Sequence, residues 1–385
     1  MYSIPLSVPS LKGKEWKYVK ECIDTEWVSS AGKYVELFEK KIAKYTGTKY
    51  AIACVNGTSA LQVSLRLAGV EPNDEVFVPT LTFISPVNAI VYNGGVPVFM
   101  DADQYYNIDN EKTKEFIEKE TVFKKGFSFN KKTDRRVSAI LPVHVWGNAC
   151  WLEDLLPLCE ERNISVIEDA SESLGSVYKS GKLTEKHTGT IGKFGCISFN
   201  GNKIITTGGG GMILTDDENL AEKASYLTTQ AKDDPTRYIH HEIGYNFRLT
   251  NIQSALGVAQ LEQLPRFLER KRDIHQQYQA VVNSIEGLKI SDVPDYADNN
   301  CWMNILQIDS KVYGEEREDL MQRLGKNGIQ SRPVWALNHM QKPYKDCQSY
   351  KLERAEELVN KSLCLPSSTN LNDEDLNKVI DCLNG

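Results

Sequence analysis

Short apolar runs rich in β-branched residues alternate along the chain with segments whose apolar positions recur every three or four residues. From Tyr50, "YAIACV" reads as a strand; the segment after it carries Leu61, Leu65 and Ala68 on one helical face and ends at Gly69. "EVFVPTLTF", "SPVNAIVYNGG" and "VPVFMDAD" continue the alternation. After a polar excursion around "KKGFSFNKKTDRR" it resumes in "VSAILPVHVWG". A helix carrying Leu152, Leu155, Leu156 and Cys159 then leads into the apolar strand "ISVIEDA", the spacing of a strand, crossover helix and parallel strand. "FGCISFN" and "GMILTD" read as two further strands. Such alternation predicts an α/β wound domain. It also puts Asp169 at the carboxyl end of a buried strand, the edge where ligands bind in open α/β sheets.

Beyond "GYNFRLTNIQSALGVAQLEQL" the pattern turns helical and charged, through "ERKRDIHQQYQAVVNSI", before a mixed tail. A chain of 385 residues exceeds the roughly 250–300 at which single cores stop growing. The expected division is therefore an N-terminal arm and large domain over 1–261 and a smaller α+β domain over 262–385. A last helix with Leu376, Val379, Ile380 and Leu383 on one face closes the smaller domain.

Composition removes several classes. Apolar and charged fractions of 41% and 25% are those of a packed globular protein, against disordered, collagen-like or membrane-spanning chains. The net charge of −7, with both signs interspersed, argues against a nucleic-acid partner. No apolar run approaches the roughly 20 residues that cross a bilayer. "MYSIPLSVPSLKGKEW" lacks the plan of a signal peptide, so a cytoplasmic location is expected. The nine cysteines contain no C-x-x-C pair and the six histidines no H-E-x-x-H spacing. They predict reduced thiols and no metal site.

Three features can carry chemistry. In "NGTSAL", Gly57, Thr58 and Ser59 stand between a strand and a helix, where backbone N–H groups and hydroxyls hold a phosphate; Thr58 as a simple N-cap explains the same residues. Asp169 is a strand-end carboxylate that needs a cation or donors, and a structural ion pair would serve. Lys203, in "SFNGNKIITTGGGGMI", becomes a nucleophile toward carbonyls only where its surroundings activate it. Neither G-x-G-x-x-G nor G-x-x-x-x-G-K-[ST] occurs to explain the glycines. Together the three supply what pyridoxal 5′-phosphate requires: a phosphate anchor, an anion at the pyridine nitrogen and an amine for the aldehyde.

The chain is similar, through "WVSSAGKYVELFE", "NGTSALQVSL", "PTLTFISPVNAI", "IEDASESLGS", "SFNGNKIITTGGGGM" and "GYNFRLTNIQSALGVAQLE", to the DegT-type nucleotide-sugar aminotransferases. The match spans residues 27–262, and "RPVW" and "CLPSS" extend it into the tail. The resemblance implies the aspartate aminotransferase fold (type I): a large cofactor-binding domain with a mixed, mostly parallel sheet between helices, plus a smaller α+β domain. It implies pyridoxal 5′-phosphate in a Schiff base with Lys203, Asp169 paired with the pyridinium, and Gly57, Thr58, Ser59 and Ser198 around the phosphate. Phe83 stacks on the ring and Glu172 faces its O3′ side. Asn246 reaches the phosphate and substrate of a neighbouring subunit, making a homodimer with shared active sites. Trp27, Val28 and Ser29, with Arg332, Pro333, Val334, Trp335 and His339, match segments that contact the nucleotide sugar.

Two positions depart from the family pattern: Glu172 stands where Gln is common, and Gly209 replaces the acid of "TGEGG". Both variants resemble the subgroup acting on UDP-linked 4-keto-6-deoxy-N-acetylhexosamines. The function this implies is transfer of an amino group from L-glutamate to C4 of UDP-2-acetamido-4-keto-2,6-dideoxyhexose, as in bacillosamine or legionaminic acid synthesis. The alternative is a GDP-4-keto-6-deoxymannose 4-aminotransferase of the perosamine synthase type. A related sugar dehydratase carries histidine at the lysine position, and Lys203 argues against it. Intact Thr58, Asp169, Ser198 and Lys203 argue against a non-catalytic regulator.

Overall fold

The computed structural model describes residues 2–234 and 236–384. Strands in the first half are β1 (Tyr50–Cys54), β2 (Glu75–Pro79), β3 (Val96–Met100), β4 (Thr121–Lys124), β5 (Phe127–Asn130), β6 (Arg136–Ile140), β7 (Ser165–Asp169) and β8 (Val177–Tyr178). Then follow β9 (Phe194–Ser198), β10 (Gly211–Thr215), β11 (Leu288–Ile290), β12 (Ala297–Asp298), β13 (Asn304–Ile308), β14 (Arg332–Pro333), β15 (Ser349–Tyr350) and β16 (Ser362–Leu365).

The large sheet runs β1-β10-β9-β7-β6-β2-β3-β15, with the β4–β5 hairpin attached to β6. From β9 through β15 neighbouring strands on that path are parallel, whereas β10 is antiparallel to both β9 and β1. Successive residues enter opposite cores: Ile52 and Cys54 pack with Ile213 and Cys196, while Ala53 packs with Met212, Leu214 and Ile197. Burial on both faces is why these strands read as continuous apolar runs. The helix Gly57–Leu67 joins β1 to β2, and Ile84–Tyr92 joins β2 to β3, so "SPVNAIVYNGG" is a crossover helix.

Two local readings change. The helix expected from Leu152 begins at Leu156, because Pro157 sits in its first turn, where a missing N–H costs nothing. The polar excursion is a β-hairpin: Lys125 (φ 53°) and Gly126 (φ 81°) form its two-residue turn, the left-handed geometry that matches strand twist.

A second, antiparallel sheet runs β11-β13-β16-β14. Its core joins Leu306 and Leu363 to Tyr278, Leu320 and Leu376 from the covering helices. Ile4 is buried in this core and pairs with Ile329. Leu6 donates its amide to Gln330 Oε1 at 3.0 Å, and Val8 donates to Ser368 Oγ at 3.0 Å. The two parts therefore interleave: residues 4–8 join the small unit, β15 joins the large sheet, and β8 pairs with β12 between them. Among the described residues no helix is long and apolar enough to cross a membrane, and no group of side chains is arranged for a metal. All nine cysteines are unpaired and seven are buried.

Candidate active site

Strands β9 and β10 are joined by the segment that holds Lys203. Phe199 donates its amide to the Gly210 carbonyl and Thr207 donates to the Phe199 carbonyl, which closes the segment into a compact loop. Lys203 Nζ lies 3.1 Å from Glu172 Oε1 and 4.3 Å from the centre of the Trp302 ring. Of the four glycines, Gly208 stands at φ +80°, a conformation side chains resist. A Cβ at Gly210 would strike the Thr207 hydroxyl, and one at Gly211 would strike the backbone of Asn56 and Gly57. Gly211 thus lets β10 approach the turn after β1. At Gly209 the nearest group is the Gln253 amide, 3.9 Å from the position of a Cβ. We expect Gly211→Ala to lower stability by about 1–3 kcal/mol through overpacking. Gly209→Ala should stay within about 1 kcal/mol of the parent; thermal denaturation of the two variants checks the pair.

At the start of the helix Gly57–Leu67 the cap is Asn56, whose side chain accepts from the Ser59 amide at 2.7 Å. Thr58 is therefore free of the capping role and lies in the first turn. A Cβ at Gly57 would come within 2.9 Å of Ser198 Cβ and 3.2 Å of Ser171 Oγ. A helix N-terminus, two serine hydroxyls and a residue without a side chain thus meet, an arrangement suited to an anion.

Asp169 ends β7 with its backbone held on both sides: its amide donates to the Pro142 carbonyl and its carbonyl accepts from the His144 amide. The carboxylate accepts from the Ser171 amide at 2.9 Å. Burial pushes its pKa up, opposed by Ser171, Lys203 and His144. The preceding Glu168 is also buried, but it accepts from the amides of Gly189, Ile191 and Gly192 and pairs with His144 Nε2 at 2.9 Å. Burial alone would raise Glu168; the His144 bond and these amides outweigh it and hold the carboxyl below its usual range. His144 Nδ1 accepts from the Cys150 amide, which turns Nε2 toward Glu168.

Glu172 accepts from the Trp146 amide at 2.9 Å as well as from Lys203. Burial pushes its carboxyl up, and Lys203 pulls it down. Asp169 and Glu172 are thus two buried carboxyls beside Lys203, each pushed up by burial and pulled down by the lysine.

Above Lys203 the Trp302 and Trp146 rings lie stacked 6.0 Å apart, and Trp335 stacks on Trp146 at 3.9 Å. Phe83, half exposed, is 6.2 Å from Trp335. Val334 is buried, Arg332 and Pro333 are exposed, and His339 Nδ1 meets Thr80 Oγ1 at 2.8 Å. The fold thus brings together Gly57, Ser198, Asp169, Glu172 and Lys203, with Trp335 and Phe83 at the rim. Trp27, Val28 and Ser29 stay exposed, tied through the Trp27 and Ser29 carbonyls to Asn251. A cavity of about 390 Å³ beside them is lined by Cys22, Trp27, Tyr34 and Asn251. Asn246 is exposed, on a segment that also exposes Tyr238 and Ile243.

Sequence reasoning missed Ser171, Trp146 and Trp302. Ser171 was legible in principle, two residues past a strand-end aspartate; the tryptophans were not, since Trp302 reaches Lys203 only through the tertiary fold.

A model of the DegT/DnrJ/EryC1/StrS aminotransferase family matches residues 9–384. The GDP-perosamine synthase of Escherichia coli O157:H7 is 37% identical over 384 residues, covering 100% of this chain and 98% of that one. A putative pyridoxal phosphate-dependent aminotransferase, EpsN of Bacillus subtilis (strain 168), is 35% identical over 387 residues, covering 99% and 95%. Among solved structures, a DegT DnrJ EryC1 StrS aminotransferase from Brucella abortus superposes with a TM-score of 0.86 at 27% identity, covering 96% of this chain and 94% of that one.

Proposed function

Because the chain belongs to the DegT/DnrJ/EryC1/StrS aminotransferase family and is a pyridoxal phosphate-dependent sugar aminotransferase, we propose that it carries an amino group from L-glutamate to C4 of a guanosine diphosphate-linked 4-keto-6-deoxyhexose. The observation that carries the amination chemistry is the meeting of Lys203 with two buried carboxyls, Glu172 at 3.1 Å from its Nζ and Asp169 at the end of β7.

The residues divide the work as follows. Gly57, Thr58 and Ser59 at the helix N-terminus, with Ser198, hold the cofactor phosphate. Asp169 would pair with the ring nitrogen and keep it protonated, Glu172 would stand toward the ring hydroxyl, and Phe83 would cover one face. When bound, the cofactor supplies an electron sink that makes the donor's Cα–H acidic. Lys203 Nζ would take up that proton and give it back, as general base and acid in both half-reactions. Trp335 and Arg332, with Trp27, Val28 and Ser29, receive the nucleotide sugar, and His339 is held at the rim by Thr80. Exposed Asn246 completes the site of a second subunit, so light scattering of the purified protein should show a dimer.

The guanosine nucleotide is supported by three similar proteins named GDP-perosamine synthase, at 37%, 36% and 32% identity. It displaces the uridine-linked acetamido sugar expected from the sequence. That sugar stays as a second reading, favoured by Glu172 and Gly209 alone. The test offers the enzyme and glutamate GDP-, UDP- and dTDP-linked 4-keto-6-deoxy sugars, with product NMR for position and configuration. Fastest amination at C4 of the GDP sugar is expected. Faster turnover of the UDP-linked acetamido sugar would transfer the assignment to the second reading, and no amination of any of them would overturn both.

A further inference from the structure

Trp302 stands just before β13, on the small unit, and is only 2% exposed. Its amide donates to Asn300 Oδ1 at 2.9 Å, and its carbonyl accepts from Lys271 Nζ at 2.7 Å. Its indole N–H donates at 2.8 Å to the carbonyl of Asn202, the peptide immediately before Lys203. The face of the same ring lies 4.3 Å from Lys203 Nζ. One side chain thus grips both the backbone that carries the lysine and the ammonium at its tip.

The mount is unusual. Lys271 is buried, and both of its hydrogen bonds run to backbone carbonyls, of Trp302 and Ser367. Burial lowers its pKa to about 7. Asn300, also buried, donates to the carbonyls of Glu172 and Leu174 while accepting from Trp302. Trp302 and Glu172, the two groups that contact Lys203 Nζ, are therefore linked through Asn300, and their spacing is set by the fold.

We propose that Trp302 is a positioning residue that docks the side chain of Lys203 once it leaves the cofactor. The proposal rests on Lys203 being the cofactor-bearing lysine. When the donor's amine adds to the carbon that Nζ is bonded to, one C–N bond forms, the bond to Nζ breaks, a proton passes from the incoming nitrogen to the leaving one, and the long lysine side chain is free to wander as a neutral amine. Between the Glu172 carboxylate and the indole face it has a resting place, because the N–H groups of a lysine head group, charged or neutral, are attracted to the negative face of an indole. The N–H bond to Asn202 keeps the stem in register with that place. Docking shortens the search by which Nζ reaches the donor's Cα and later returns to the aldehyde, so it acts on turnover and leaves substrate affinity unchanged.

The test uses the full-length holoenzyme. Trp302→Leu loses the face and the N–H; Trp302→Phe keeps a face. We expect kcat to fall on the order of tenfold in Trp302→Leu, with KM for glutamate and sugar unchanged and Trp302→Phe recovering most of the loss, the scale of one cation–π contact. The rate at which Lys203 rejoins added pyridoxal phosphate, followed by absorbance in cofactor-stripped protein, should fall in the same order. Fluorinated tryptophans placed at 302 alone keep shape and N–H while weakening the face, and serve even if Trp302→Leu does not fold. A graded slowing of rejoining with fluorine number supports docking; rates independent of fluorination, or equal shifts in kcat and KM, overturn it. Borohydride reduction of the parent enzyme and peptide mass analysis report separately whether the cofactor is on Lys203. Attachment elsewhere refutes the underlying reading and the inference with it, whereas attachment at Lys203 with unchanged rates refutes the inference alone.

Discussion

Lys203→Ala should reduce transamination on the order of 10⁴- to 10⁶-fold, the loss seen when a group that forms and breaks bonds is removed. No neighbour can replace it. Lys271 is committed to the carbonyls of Trp302 and Ser367, and the other titratable groups beside the lysine, Asp169 and Glu172, are carboxyls. The variant also leaves Glu172 buried without its cation, and an unpaired buried carboxyl takes up a proton. Turnover of glutamate with the keto sugar measures the loss. Borohydride should fix no cofactor to the variant, and added methylamine should restore a small fraction of the rate by serving as a free base. Turnover at the parent rate would end the assignment of Lys203.

Asp169→Asn should lower kcat by about 10²–10³ and change KM for the sugar less than about threefold. Opposite charges about 4 Å apart at an effective dielectric of about 20 attract by roughly 4 kcal/mol, and each 1.36 kcal/mol of barrier is tenfold in rate. Asparagine retains an oxygen to accept from the Ser171 amide, so the strand end keeps its shape while losing the charge proposed to hold the ring nitrogen protonated. Steady-state kinetics across both substrates decide the matter, since equal effects on kcat and KM would mark a structural ion pair. In cofactor-free protein the sign reverses. Burial raises the pKa of Asp169 above its unfolded value, so this carboxyl costs stability as pH rises from the ordinary carboxylate range through that raised value. At neutral pH the asparagine variant should therefore melt no lower than the parent when both lack cofactor.

The strands β1, β2, β3, β6, β7, β9 and β10 were legible because each is buried on both faces and so reads as an unbroken apolar run. The β4–β5 hairpin was not, since Val122, Phe123 and Phe127 are substantially exposed among lysines and give no clean alternation. The fold brings together Gly57, Asp169 and Lys203, which stand in short motifs at strand ends, with Ser198 and Glu172, which the family resemblance named. Trp146 and Trp302 were missed because their roles exist only where distant segments cross. The glycine run was read as a turn free of bulk, which Gly210 and Gly211 bear out; Gly208 is held to glycine by its positive φ, and at Gly209 nothing in the structure requires glycine. The nucleotide was the least legible feature, since the segments matched to it, 27–29 and 332–335, lie near opposite ends of the chain.

The pairing of Ile4 with Ile329, and of the residues after it with Gln330 and Ser368, has a consequence for the order of assembly. A ribosome that has made the first strands of the large sheet has not yet made what residues 4–8 need. The large sheet can close most of its path during synthesis, while the start of the chain waits for partners encoded more than three hundred positions later. Ser7 reaches from this strap to the Asn202 carbonyl, the same oxygen that Trp302 holds. The peptide in front of the lysine is thus held at one oxygen by the start of the chain and by the small unit, so loosening residues 4–8 should disturb the active-site loop while leaving the large sheet intact.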